Sequence, residues 1–231
     1  MDASTAASID NGSPILRDYA TDADVLLILF SGLKRNPRKL PGFSFRAVTG
    51  GLPARKLYVR DLRKAWFLAG LPGISSDVGG TAEFLRKEAG GARRIVLTGY
   101  SLGGFAAHLY ASLLENAEAV TFSPQTFVSF WQRLRARDHR WRRYALALLW
   151  KSKARYRDLR PFLVRQSRVK HAIHYAVDSP LDAVHAQRVA SLHNVRVIAH
   201  TEGRHRLVTA LRDSGELRKL LESAVRGERS D

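Results

Sequence analysis

One stretch limits the folds open to this chain more than any other: Arg94-Ile-Val-Leu-Thr-Gly-Tyr-Ser-Leu-Gly-Gly104. Arg94 to Thr98 is an apolar, β-rich run and Leu102 to Leu114 has the pattern of a helix, so Gly99-Tyr-Ser101-Leu-Gly103 has to turn the chain from one into the other. A turn this tight presses the residues two before and two after Ser101 against neighbouring backbone. Both are glycine, which has no side chain to collide. A strand that feeds directly into a helix belongs to architectures in which parallel strands are covered by helices.

The rest of the chain repeats this alternation. Asp24 to Phe30 is a short apolar run stopped by Ser31-Gly32, as expected of a strand buried on both faces, and Lys56 to Val59 reads as a second strand. Glu118 to Phe122, His171 to Val177 and Val195 to Ala199 read as three more. Helical patterns cover Ser75 to Glu88 and follow each of the last two strands. The pattern predicts the α/β class, with a mostly parallel central sheet and helices on both faces, in a single domain of residues 1–231. Between about 125 and 170 the alternation gives way to a long Arg-rich, Trp-containing helical stretch. That stretch is expected to be a cap or lid inserted over the sheet's edge.

Composition removes several chemistries. With 45% hydrophobic residues and a net charge of +17, the chain is a basic globular protein, not a disordered one. It has no cysteine, which excludes disulfides, thiolate zinc sites and cysteine nucleophiles. No His and carboxylate pairing at helical spacing argues for a metal, and no metal or organic cofactor is expected. The longest apolar runs, Val25 to Phe30 and Ala145 to Trp150, fall far short of the roughly 20 residues that span a bilayer. Met1 to Asn11 has no basic region leading into an apolar stretch, so it does not read as a leader. The expected location is cytoplasmic, with any membrane contact peripheral and on the inner face.

A serine, a histidine or a carboxylate must then do any chemistry. Ser101 lies at the centre of a strained turn, with the Leu102 amide and a helix N-terminus beside it, a setting that favours negative charge. The G-x-S-x-G turn between strand and helix resembles the nucleophile elbow of the α/β-hydrolase superfamily, small bacterial members in particular, and the resemblance covers about Asp24 to Leu221. It implies a triad in the order serine, acid, histidine. The acid should follow the strand ending at Val177 and the histidine the strand ending at Ala199. His205, in Thr201-Glu-Gly-Arg-His-Arg-Leu207, takes the histidine's place, while His108 reads as packed or hydrogen-bonded in its helix. Two carboxylates stand where the acid should be. Asp182 is preferred because Asp182-x-x-His185-Ala resembles the junction of acid and helix in bacterial members, and because a longer loop helps the carboxylate turn. Asp178, directly after the strand, stays a rival. The resemblance also places an oxyanion hole at the amides of Leu102 and Leu33. A phenylalanine and a serine precede Gly32 where esterases and lipases carry a His-Gly pair or a Gly triplet, which leaves the substrate class open.

The implied activity is hydrolysis of an ester or related acyl bond through an acyl-enzyme. Two alternatives remain: transfer of the acyl group to a sugar or amine, and a fold that has lost turnover and binds an anionic partner. Between Trp131 and Lys170, 14 basic residues face only Asp138 and Asp158, a net +12 interleaved with aromatic and leucine residues. This charge has three readings: a solvated face, a funnel for an anionic glycan- or lipid-linked acyl substrate, and a dock for anionic membrane. Nucleic acid is the less favoured partner, since no helix-turn-helix, RNA-recognition or zinc pattern appears. Arg60, Asp61, Arg63 and Trp66 either line the pocket or build the loop after the second strand. The oligomeric state is left open.

Overall fold

Every residue from Leu26 to Phe30 is apolar and fully buried because side chains alternate across a sheet covered on both sides. Leu26, Ile28 and Phe30 enter one core, Leu27 and Leu29 the other. Each such side chain contributes about 1.5–3 kcal/mol. The computed structural model describes residues 12–19, 23–33, 40–166 and 168–228, so Met1 to Asn11 lies outside the described residues.

The sheet consists of β1 (Ile15–Asp18), β2 (Val25–Phe30), β3 (Arg55–Val59), β4 (Arg94–Tyr100), β5 (Ala117–Phe122), β6 (Lys170–Ala176) and β7 (Val195–His200), in the order β1-β3-β2-β4-β5-β6-β7. All neighbours are parallel except β1, which runs antiparallel to β3. The helices are α1 (Arg46–Thr49), α2 (Val78–Glu88), α3 (Leu102–Ala111), α4 (Phe130–Arg135), α5 (Arg142–Lys151), α6 (Arg160–Arg165), α7 (Pro180–Gln187), α8 (Leu207–Asp213) and α9 (Glu216–Arg226). α2, α3 and α7 pack on one face, and α1, α8 and α9 on the other. In α9 the buried Leu217, Leu221, Ala224 and Val225 recur at helical spacing, which is why that helix lies flat on the sheet.

The α/β class and the mostly parallel sheet are as the sequence predicts, with two differences. β1 has only four residues, half-exposed on an edge, too short and too mixed to show alternation. The 125–170 segment is not one long helical stretch but three short helices and a 3-10 turn, Ala154–Arg157. The sheet's edges are β1 and β7, and this segment leaves β5 and returns to its neighbour β6. Its base is closed by the Phe127–Asp158 bridge and by hydrogen bonds from Val128 to Arg157 and from Leu159 to Thr126. Leu148, Leu159 and Leu163 are buried in the α3-side core.

Candidate active site

The turn between β4 and α3 is as tight as its glycines require. A Cβ on Gly99 would strike the carbonyl of Gly103, and one on Gly103 would strike the carbonyl of Phe30 at the end of β2. Ser101 itself adopts φ 53°, ψ −114°, outside the regions open to most side chains, and is 5% exposed. The conformation is held from both sides: the Ser101 amide donates to the Phe122 carbonyl at 3.1 Å, and the Ser101 carbonyl accepts from the amides of Phe105 and Gln125. The side chain therefore stands at the carboxyl ends of the central strands.

His205 lies in the 3-10 turn Arg204–Arg206 after β7, and its Nε2 is 3.1 Å from Ser101 Oγ. Its Nδ1 is 2.9 Å from both Asp182 oxygens. A carboxylate only accepts, so Nδ1 carries the proton and Nε2 is left to accept from the serine hydroxyl. Two contacts fix the turn. Tyr100 donates its hydroxyl to the His205 carbonyl at 2.8 Å, and the Arg204 amide donates to Asp178 Oδ1 at 2.8 Å. Asp178, the rival acid, thus holds the backbone of the histidine turn while Asp182 holds the ring. Asp182 reaches the ring from the first turn of α7, which starts at Pro180 after Ser179, and not from an extended loop.

A buried ionic chain backs Asp182. Arg140, in the loop between α4 and α5, donates from Nη1 to Asp182 Oδ1 at 2.8 Å and grips Asp138 through Nε and Nη2 at 3.0 and 2.9 Å. His185 Nδ1 accepts from the Thr126 amide, so its Nε2 donates to Asp138 Oδ2 at 3.2 Å. Gln125 donates from Nε2 toward the same oxygen and accepts on Oε1 from Trp66 Nε1 at 2.6 Å. The Asp182-x-x-His185 spacing puts both side chains on one face of α7, one toward the ring of His205 and one toward Asp138. Burial opposes the charge on Asp182, but the His205 hydrogen bond and charge, the Arg140 guanidinium and Ser179 outweigh it and hold its pKa below the usual carboxylate range. Asp138 is held low likewise, by His185, Arg140 and Arg133 against burial.

Leu102 begins α3, so its amide is among those without a partner inside that helix. Leu33 follows Gly32, where an added Cβ would come within 2.8 Å of the Tyr100 ring. The chain after β2 therefore passes directly beside the residue preceding Ser101. After β3, Arg60, Asp61 and Trp66 are buried. Asp61 accepts from the amides of Arg63, Ala65 and Phe67, and Arg60 donates to the carbonyls of Ser13 and Pro41. This group builds its loop. His108 is buried in a hydrogen-bonded cluster with His171 and Thr121. Sequence reasoning missed Arg140 and Asp138. Their only signal was that Asp138 is one of two carboxylates in a run of arginines.

No family profile matches the chain, and no curated protein matches it in sequence. Solved structures do match in shape. An α/β-hydrolase enzyme from the metagenome of sediments from the lagoon of Mar Chica, Morocco, superposes with a TM-score of 0.57 at 15% identity, over 92% of this chain and 94% of that one. This chain has the α/β-hydrolase fold. A second α/β-hydrolase-fold likeness is to the capsule O-acetyltransferase of Neisseria meningitidis serogroup A, with a TM-score of 0.65 at 13% identity over 94% of this chain and 92% of that one. A mutant of that enzyme in complex with CoA gives 0.62 at 12%, over 93% and 92%. The glycosylation-associated Gap123 complex from Streptococcus agalactiae gives 0.63 at 15%, over 89% of this chain and 43% of that chain.

Proposed function

We propose that this protein is a serine-dependent acyl hydrolase that cleaves an ester through an acyl-enzyme. The observation that carries the reading is the unbroken line from Asp182 through His205 to Ser101 at the strained turn. Ser101 Oγ attacks the acyl carbon as His205 Nε2 takes its proton. The imidazolium so formed is steadied by Asp182 and returns the proton to the leaving oxygen. The tetrahedral oxyanion sits against the amides of Leu102 and Leu33. Water, activated by the same imidazole, then releases the acid. The cationic segment beside the site supports an anionic, glycan- or lipid-linked substrate.

One observation favours a second acceptor. The likeness to a capsule O-acetyltransferase at TM-score 0.65, also solved with CoA, supports transfer of an acyl group to a carbohydrate hydroxyl in place of water. The acyl-enzyme is common to both readings.

A fluorophosphonate probe tests the nucleophile. The wild type should label, and Ser101→Ala and His205→Ala should not. Turnover of p-nitrophenyl acetate and butyrate, with and without added sugars, then separates the acceptors: acylated sugar in place of free acid selects transfer. A wild type that neither labels nor turns over, with detergent or vesicles present, refutes both.

A further inference from the structure

We infer that the outer surface of the α4–α5 segment is a docking face for a bilayer bearing anionic phospholipid. Three observations converge. First, both carboxylates between Trp131 and Lys170 turn inward. Asp138 is buried under Arg140 and His185, and Asp158 accepts from Arg188 and Gln132. The fully exposed charges of this stretch are therefore positive, with Arg135, Arg137, Arg142, Arg143, Lys151 and Lys153 among them, while Asp158 is a quarter exposed in its pair with Arg188 and Asp77 lies beside Trp150, Lys151 and Lys153.

Second, large apolar side chains stand outward among these cations. Trp150 is 90% exposed and Trp131 73%, with Phe130, Leu134, Leu146 and Leu149 also exposed. Phe130, Leu134, Leu146 and Leu149 converge on a groove of about 170 Å³ between α4 and α5, with Arg142 and His139 at its margin. Third, Leu148 already commits the inner side of α5 to the core, and Leu159 and Leu163 do the same for the stretch that follows, so the outer apolar residues are not awaiting burial within this chain.

The chemistry selects the partner. A surface on which cations far outnumber carboxylates is drawn to a negative one, and tryptophan and leucine gain by entering the interfacial and acyl region of a bilayer. A nucleic acid would use the arginines and stack on tryptophan, but it gives leucine side chains and an apolar groove no partner. Among the described residues no helix is long and apolar enough to cross a membrane, so contact through this face is peripheral. The segment also carries Arg140, which brings the docking face next to Asp182. The docking itself does not depend on acyl transfer.

Flotation of the full chain on vesicles tests this, comparing phosphatidylcholine alone with phosphatidylcholine containing about 30% phosphatidylglycerol, in about 0.05 M and about 0.5 M salt. The control is the triple variant Trp131→Ser, Leu134→Ser, Trp150→Ser, which keeps every charge and alters only exposed side chains. The wild type should float with the anionic vesicles and not with phosphatidylcholine, and high salt should weaken its binding. The triple variant should bind at least about tenfold more weakly at low salt. No flotation on anionic vesicles overturns the inference. Equal binding by the triple variant also overturns it, because charge alone would then account for the attachment. Tryptophan-dependent binding to a random single-stranded oligonucleotide that displaces the vesicles assigns the face to nucleic acid instead.

Discussion

Asp182 Oδ1 accepts from His205 Nδ1 and from Arg140 Nη1 at once, so one oxygen connects the proposed base to the ionic chain behind it. An amide at position 182 keeps the size but presents the wrong charge to both. Asp182→Asn is expected to slow probe labelling by about 10⁴-fold, the loss typical of a triad acid. Asp178→Asn, which loosens only the Arg204 amide, should stay within about tenfold. Comparable losses in the two variants would mean that the acid has been misassigned. In the proposed mechanism Arg140 acts through Asp182 as a positioning residue. Arg140→Ala should lower the labelling rate by up to about 10²-fold through misplacement of the carboxylate. The guanidinium helps to hold the Asp182 carboxylate ionised and in place. Arg140→Lys, which keeps the charge but not the two-sided grip, should recover part of the rate. A loss as large in Arg140→Lys as in Arg140→Ala would show that the charge beside Asp182 does not matter.

At the next scale, the β4-turn-α3 unit is where backbone and chemistry meet, and its glycines are not equivalent to others in the chain. A Cβ on Gly103 meets the Phe30 carbonyl, which belongs to β2 and cannot move without breaking the sheet. Gly103→Ala should cost about 1–3 kcal/mol in urea unfolding and distort the turn that aims Ser101. In α2, an added methyl on Gly79 meets only Asp77 Oδ1 at 3.5 Å, so Gly79→Ala should stabilise by about 0.5–1 kcal/mol. Equal effects would show that the turn tolerates bulk. This contrast also explains what could be read from the sequence. The elbow announces itself because its steric demand falls on neighbouring residues. β2 and β4 were visible because buried parallel strands are nearly continuous apolar runs, and β3, β5, β6 and β7 because their β-rich stretches end at turns or helices. β1 was not, because a half-exposed edge strand of four residues has no periodicity to show. His205 and Asp182 were singled out by the resemblance, which sets an acid and a histidine after particular strands, and the fold brings both side chains to Ser101. Arg140 had no such guide: what sets it apart from the arginines around it is the fold that returns its loop to α7.

Across the whole molecule, imidazoles packed between strands and helices set the response to acid. Burial pushes the His171 pKa down to about 4, and burial with the charges of His200 and Arg196 pushes His174 down to about 3. His108, buried against His171, is held well below its ordinary value. Folded and unfolded chains are both neutral at these sites above pH 6.5, and stability there is unaffected. Below 6.5 the unfolded chain takes up protons that the folded one refuses, so stability drains away from about pH 6.5 down through about 4 and about 3, at about 1.4 kcal/mol for each unit of displaced pKa. Asp138 and Asp182, also displaced downward, add their losses only below their ordinary value of 3.8. The melting temperature should therefore begin to fall well before the carboxylates titrate, and His174→Gln should flatten the slope. Repulsion within a chain of net charge +17 also grows with acid, but it acts across the surface and is screened, whereas rings inside the core are not. A slope that persists in about 0.5 M salt and shrinks in the variant assigns the acid sensitivity to the buried histidines. A melting temperature that stays level from pH 7 to pH 4.5 would show that these rings accept protons in the folded state.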